Sequence, residues 1–159
     1  MKKLRIYLET TMFNRMVEHD RKYCEETQQL FAEIADGKFE AYTSVYVLEE
    51  LAQAPAEKRD QMLELIQKYD LTVLERSPVI TQLADEYAAR GILSEKHSYD
   101  RLHIACASVN AMNMIISLNF THINRPRTKT LTDAVNRMQG YHGIYIGSPM
   151  EVIENDDSF

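Results

Sequence analysis

Four oxygen-bearing side chains follow or flank the predicted strands, at positions where the fold can bring them together. Glu9 immediately follows the first predicted strand, and Glu50 lies in the second turn of the helix after the second strand. Asp100 falls in the first turn of the helix before the fourth strand, and Asn119 comes just after that strand. Ligands of open parallel sheets bind beyond the carboxyl ends of the strands, so these side chains converge if strands one and four are neighbours.

The chemistry that such a cluster supports is metal-dependent. Carboxylates packed together repel one another and need a cation or a shared proton. Oxygen ligands suit Mg²⁺ or Mn²⁺ better than zinc. Such ions activate a water for in-line attack on a phosphodiester and stabilise the leaving oxygen. A single Asp or Glu is more often a solvated charge, a helix-dipole partner or half of a salt bridge, so the metal site depends on convergence.

The elements that must position these residues alternate along the chain. Short apolar runs predict five strands, at 4–8, 39–43, 71–74, 114–117 and 143–146, and helical periodicity fills the segments between them. Strands separated by helices form parallel βαβ units with right-handed crossovers. The sequence therefore predicts an α/β fold, a three-layer α/β/α sandwich around a five-stranded parallel sheet. We expect one domain over 1–153 and an acidic C-terminal tail over 154–159.

Composition and charge describe an ordinary globular domain. The chain has 159 residues, 45% of them hydrophobic and 26% charged, with no internal repeat or linker. The net charge of −6 argues against indiscriminate binding of polyanions but agrees with a carboxylate cluster. The first apolar segment is broken by Arg5 and Glu9, so we expect no secretion signal, no membrane span and a cytoplasmic location. Cys24 and Cys106 are expected to be reduced thiols, and no spacing resembles a zinc site.

Four segments together resemble the PIN-domain family, which includes the ribonuclease toxins of toxin–antitoxin pairs. The segment 6–11 is similar to the opening strand of that family, and 44–51 to its second signature, a helix Glu followed by Leu. The segment 100–105 resembles the third signature, an Asp at a helix start followed by His-Ile-Ala, and 117–123 resembles the segment after strand four. The resemblance extends to about Ile153, nearly the whole chain.

The resemblance implies a strand order of 3-2-1-4-5 and a metal-dependent endoribonuclease. Glu9, Glu50 and Asp100 would be ligands of Mg²⁺ or Mn²⁺, and Asn119 would assist as a catalytic residue. The expected partners are RNA, an antitoxin protein and a second copy of the chain. Apolar residues after the first strand could serve that homodimer, although packing on the sheet is the simpler role for Met12, Phe13 and Met16.

Two positions depart from the pattern of the family. Position 9 is Glu where Asp is usual, and the extra methylene moves the carboxylate by roughly 1.5 Å, the length of a carbon–carbon bond. Asn119 offers a neutral oxygen where some members carry a fourth acid. These departures leave the fold prediction intact and weaken the prediction of catalysis.

Substrate contacts are expected from the segment after strand four. Basic residues give it a local charge of +3, and Pro126 predicts that it begins as a loop. The alternative is an ordinary solvated basic stretch. The candidate substrate-binding residues are Thr10, His122, Arg125, Arg127 and Lys129.

Two other functions compete with this prediction. One is a PIN-fold module that binds RNA or protein and has weak or no nuclease activity. The other is a phosphoacceptor receiver, which needs an Asp at the end of strand three. Leu74 is followed there by Glu75 and Arg76, and no Lys-Pro follows strand five, so the receiver is excluded.

Overall fold

A computed structural model describes residues 2–154 and has five strands and seven α-helices. The strands are β1 (Leu4–Leu8), β2 (Phe39–Ser44), β3 (Thr72–Leu74), β4 (Met114–Ile116) and β5 (Tyr145–Gly147). The helices are α1 (Thr10–Val17), α2 (Cys24–Ala35), α3 (Val45–Leu51), α4 (Ala56–Lys68), α5 (Pro78–Ala89), α6 (Ser98–Val109) and α7 (Pro126–Met138). Two 3-10 turns, Glu95–His97 and Pro149–Glu151, precede α6 and follow β5.

The sheet is entirely parallel, with the order β3-β2-β1-β4-β5. β1 is the central strand, and its residues Ile6, Tyr7 and Leu8 are completely buried, as expected for a strand covered on both faces. Leu8 pairs in register with Ile116, so β1 and β4 end side by side. The predicted architecture and strand order are both confirmed.

Two helices begin at serine caps. Ser44 caps α3 by accepting hydrogen bonds from the backbone N–H groups of Tyr46 and Val47. Ser77 caps α5 in the same way, and Pro78 occupies its first position. These caps fix where α3 starts relative to the end of β2, and therefore where Glu50 lies.

Two helices differ from the prediction: α7 begins earlier than expected, and α1 was not expected at all. Pro126 does not lie in a loop: it is the first residue of α7, where its missing N–H costs nothing. The helix α1 was not predicted, because it has only eight residues and its N-cap, Glu9, makes no capping hydrogen bond through its side chain. This helix begins directly after β1 and carries Thr10 and Thr11 in its first turn.

The structure gives no support to the predicted homodimer and describes only the first residue of the predicted acidic tail. Met12 and Phe13 are completely buried in the core of a single chain, so they give no argument for a dimer. Glu154, the first residue of the predicted acidic tail, forms an ion pair of 3.0 Å with Lys38, and the rest of that tail, 155–159, lies outside the described residues. Within 2–154, no helix combines the length and apolarity needed to cross a bilayer.

Candidate metal centre

Three metal-ligating side chains meet at the carboxyl end of the sheet. Glu9 stands between β1 and α1, Glu50 is in the last turn of α3, and His103 is in the second turn of α6. One donor atom from each side chain lies within 4.8 Å of the other two. Three elements that are distant in sequence therefore place two carboxylates and an imidazole at one point.

Glu9 is held in a single orientation by two hydroxyl groups. Thr11 Oγ1 donates a hydrogen bond of 2.6 Å to Glu9 Oε1, and Ser117 Oγ donates another of 2.7 Å to the same oxygen. The backbone N–H of Leu118 donates to Thr11 Oγ1 at 2.9 Å. The carboxylate is 97% buried and belongs to the junction between β1, α1 and the segment after β4.

Glu50 is more exposed and has two other partners. Thr10 Oγ1 donates a hydrogen bond of 2.5 Å to Glu50 Oε1, and His103 Nε2 lies 2.5 Å from the same oxygen. The side chain retains 27% of its exposure, so solvent reaches part of the carboxylate. Glu49 instead accepts from Tyr99 at 2.9 Å and pairs with Arg76. Of the two adjacent acids, Glu50 is therefore the one in the cluster.

His103 connects the cluster to the core. Its Nδ1 lies 2.7 Å from the Tyr7 hydroxyl, which lies 2.6 Å from Ser44 Oγ. The imidazole is completely buried and both ring nitrogens have partners. A chain of hydrogen bonds thus runs from Glu50 through His103 and Tyr7 to the N-cap of α3.

Asp100 lies beside this cluster rather than inside it. Its side chain is 13% exposed, and Oδ2 is 3.5 Å from His97 Nδ1. The His97 ring stacks on that of His122, with centroids 3.6 Å apart. Asp100 is close enough to Glu50 and His103 for their charges to shift its pKa. All three predicted carboxylates are therefore on the same edge of the sheet.

Burial and charge shift the pKa values of these groups in different directions. Burial raises the pKa of Glu9 and of Asp100 above their ordinary values, and the neighbouring Glu50 charge adds to both effects. Burial also acts to raise the pKa of Glu50, but the hydrogen bond and charge of His103 bring it below its usual value. Burial opposes a charge on His103, yet Glu50, followed by Glu9 and Asp100, raises its pKa. A protonated His103 therefore balances part of the carboxylate charge.

Comparison with known proteins identifies the fold. No protein-family model matches the chain, and no curated protein matches it. Among solved structures, it is similar to a chain in the crystal structure of VapBC2 from Rickettsia felis. In that structure the VapBC2 proteins are bound to a DNA fragment from their own promoter. The TM-score is 0.55 at 12% sequence identity, over 90% of this chain and 97% of the other. The chain has a PIN-like fold. At this identity the similarity concerns the fold alone.

Within the PIN-like fold, Asn119 follows β4 as predicted, but its polar groups form hydrogen bonds within the loop after β4. Its Oδ1 accepts a hydrogen bond of 3.0 Å from the backbone N–H of His122. Its own backbone N–H donates to Ser117 Oγ at 2.9 Å. Asn119 is half-buried and connects the loop to Ser117, the residue that holds Glu9.

The predicted substrate-binding residues are distributed unevenly. Thr10 is 92% buried and bonded to Glu50, and Arg125 is near enough to His122 to help lower its pKa, after burial and His97. Arg127 is exposed in the first turn of α7. Lys129 lies over the ring of Tyr145, on the edge strand β5. His122 and Arg125 border the cluster beside Asp100, whereas Lys129 is engaged elsewhere.

Sequence reasoning missed three residues of the cluster: Thr11, His103 and Ser117. A usable signal existed for each. His103 follows Asp100 by three residues, which places both on one face of a helix. Ser117 is the first polar residue after the apolar run of β4, and Thr11 belongs to the first turn after β1. Thr11 and Ser117 do not resemble metal ligands, and His103, which does, contacts the carboxylate of Glu50.

The donor set fits a divalent cation. Glu9 is buried with a raised pKa, and Asp100 is desolvated beside the Glu50 charge, so a positive ion placed among them would relieve both costs. Carboxylate oxygens are the ligands preferred by Mg²⁺ and Mn²⁺. Glu9 Oε2, Glu50 Oε2 and Asp100 Oδ1 have no hydrogen-bond partner among residues 2–154. Each carboxylate thus keeps one oxygen for an ion.

Proposed function

We propose that the chain is a metal-dependent endoribonuclease that hydrolyses phosphodiester bonds of RNA. The observation that supports this most is the convergence of Glu9, Glu50 and His103 within 4.8 Å at the carboxyl end of the sheet, with Asp100 beside them. Buried carboxylates held in place by hydroxyl groups have no evident structural purpose there. Holding a divalent ion against a phosphate would use all of them.

Each residue has a distinct part in this proposal. Glu9, Glu50 and Asp100 would hold Mg²⁺ or Mn²⁺, and such an ion supplies a lowered water pKa and charge stabilisation at the phosphate. Thr11 and Ser117 keep Glu9 oriented, and Thr10 and His103 keep Glu50 oriented. We assign His103 to orientation rather than ligation because both ring nitrogens are already hydrogen-bonded. Arg125 and His122, at the border of the cluster, would contact the RNA backbone.

Cleavage of a labelled, unstructured RNA oligonucleotide tests this function. Purified protein should cut it with millimolar Mn²⁺ or Mg²⁺ and should not cut it in chelator. Asp100→Asn should abolish the cleavage. Asp133→Asn is the matched control, since Asp133 is an exposed acid of α7 paired with Arg137, and it should cleave at the wild-type rate. Equal metal-dependent cleavage by the Asp100→Asn protein would point to a contaminating nuclease.

The second candidate function is a binding module of the same fold with weak or no nuclease activity. It is favoured by Glu9, whose Oε1 is engaged with two hydroxyl groups, and by His103, which already balances charge without a metal. Such a module would bind RNA or protein in chelator and in metal alike. Binding of the oligonucleotide without any cleavage, across Mg²⁺ and Mn²⁺, would favour it.

A toxin role and its partner follow by analogy with VapBC2. We propose that an antitoxin protein binds this chain and that the free chain arrests growth through RNA cleavage. Expression of the wild-type chain alone should slow growth, whereas the Asp100→Asn chain should not. The homodimer also stays a prediction, and a monomer mass by light scattering at high concentration would count against it.

A further inference from the structure

An exposed aromatic pair lies next to the candidate metal centre. Phe120 is 44% exposed although it is a large apolar residue. Its ring meets the ring of Tyr23 edge to face, with centroids 5.9 Å apart. The pair joins the loop after β4 to the start of α2, and neither function above explains it. Exposed apolar residues need no explanation singly, but an aromatic pair beside a catalytic cluster does.

The backbone connects this pair to Glu9 in a few steps. Ser117 donates to Glu9 Oε1 and accepts from the N–H of Asn119, and Phe120 is the next residue. Three residues span at most about 10 Å of chain. A nucleotide stacked on Phe120 would therefore be a near neighbour of a phosphodiester bound at the carboxylates.

A cation accompanies the pair: Lys22 Nζ lies 4.9 Å from the centroid of the Tyr23 ring.

We propose that Phe120 and Tyr23 form a stacking site for one unpaired base of the RNA, with Lys22 contacting the adjoining phosphate. The inference rests on the proposed function and adds the place where one base of the substrate binds. Aromatic stacking accepts every base, so the site favours unpaired RNA over duplex without selecting a sequence. RNA is a better occupant than a protein segment because the pair adjoins the carboxylates and carries a cation for a phosphate.

A tryptophan reporter tests the stacking directly, because the chain has no tryptophan of its own. In chelator, the emission of a Phe120→Trp protein should fall and saturate as an unstructured RNA oligonucleotide is added. Tyr145→Trp is the matched control: Tyr145 is 54% exposed on the edge strand β5, with Lys129 over its ring, and its emission should stay constant. Constant emission from both reporters would overturn the proposal. The aromatic pair would then be a candidate contact for a protein partner instead of RNA.

Binding measurements distinguish failure of the stacking site from failure of the proposed nuclease function. In the Asp100→Asn background with Mg²⁺, Phe120→Ala should weaken RNA binding about 5- to 150-fold, the range for one lost base stack, whereas Tyr145→Ala should not. The Phe120→Ala loss should vanish on an oligonucleotide made entirely of abasic residues, which offers no base to stack. If wild-type protein cleaves RNA but Phe120→Ala binds it normally, the stacking site is wrong and the nuclease stands. If the loss appears but no metal supports cleavage, the stacking site stands and the nuclease is wrong.

Discussion

Glu50 and His103 are hydrogen-bonded to each other across 53 residues of sequence, with Oε1 and Nε2 2.5 Å apart. The contact joins α3 to α6 and shifts both groups toward their charged forms, since the pKa of Glu50 is lowered and that of His103 is raised. The raised pKa of His103 favours its cationic form among the carboxylates of the metal-free protein. The stability of the protein and its affinity for metal are therefore linked through the same residues.

Removing the Tyr7 hydroxyl should disturb this link. In Tyr7→Phe, His103 Nδ1 and Ser44 Oγ each lose a partner inside the core, which should cost about 1–3 kcal/mol of unfolding free energy. Tyr87→Phe is the control, because the Tyr87 hydroxyl is also buried between two partners, Ser108 and Asn136, away from the cluster. Denaturant melts should show similar losses for both variants. Only Tyr7→Phe should also change the amount by which Mn²⁺ raises the free energy of unfolding. If Mn²⁺ stabilises both variants equally, His103 does not contribute to the metal centre.

The strands could be predicted because they are short apolar runs, and their order in the sheet because four segments resemble the PIN-domain family. The composition of the cluster could not be predicted in full. A histidine three residues after an aspartate usually packs on its own helix, and only the end of α3 brings Glu50 to His103. Thr11 and Ser117 carry no charge, so their role depends on where Glu9 points. Side-chain orientation at the end of a strand is a tertiary property that no local pattern encodes.

Without metal, stability should fall as pH rises through neutrality. The ordinary pKa values are 4.5 for Glu9, 3.8 for Asp100 and 6.5 for His103, and folding raises all three. Above each ordinary value the folded state binds more protons than the unfolded state, so the free energy of unfolding decreases until the folded pKa is passed. Two groups have lowered pKa values and act in the opposite sense, Glu50 below pH 4.5 and His122 below pH 6.5. Thermal melts in chelator should therefore give a lower Tm at pH 8 than at pH 6, and Glu9→Gln should flatten that slope.

The stabilisation by Mn²⁺ should depend on pH in the opposite direction. Protons and metal ions compete for the carboxylates and for the charge balance that His103 provides, so binding of the ion should release protons. At one hundred times its dissociation constant an ion stabilises the fold by about 2.7 kcal/mol, and this concentration is reached at lower total Mn²⁺ when pH is higher. The rise of Tm caused by a fixed millimolar Mn²⁺ should be larger at pH 8 than at pH 6. A shift that is the same at both pH values would mean that the ion binds outside the cluster.

Asp100→Asn should leave the metal-free protein as stable as the wild type or more stable at neutral pH. Burial and the Glu50 charge make the ionised Asp100 costly, and Asn removes the charge with little change of shape. The same variant should lose most of the rise in Tm that Mn²⁺ causes, whereas the Asp133→Asn control should keep that rise. Melts of the three proteins, in chelator and in millimolar Mn²⁺, provide the measurement. An Asp100→Asn protein that melts lower in chelator and keeps the full shift would assign Asp100 a structural role, such as its contact with His97.

Asn119→Asp is the converse test, because it adds the fourth acid that some members of the PIN family carry. Asn119 uses Oδ1 to accept from the N–H of His122, and an aspartate can accept the same bond, so the loop should persist. The added charge lies one hydrogen-bonded residue, Ser117, from Glu9. The variant should therefore melt lower than the wild type in chelator at pH 8 and gain a larger shift from Mn²⁺.

The control for this change is Asn113→Asp. Asn113 also accepts a backbone N–H through Oδ1, that of Arg5 at 2.8 Å, but it precedes β4 at the opposite edge of the sheet. It should gain no additional Mn²⁺ shift. Equal shifts in the two variants would show that added negative charge anywhere on the surface attracts the ion, whereas a gain confined to position 119 would place the ion next to Glu9. RNA cleavage at limiting Mn²⁺ should then be faster for Asn119→Asp than for the wild type, because more of the protein holds the ion.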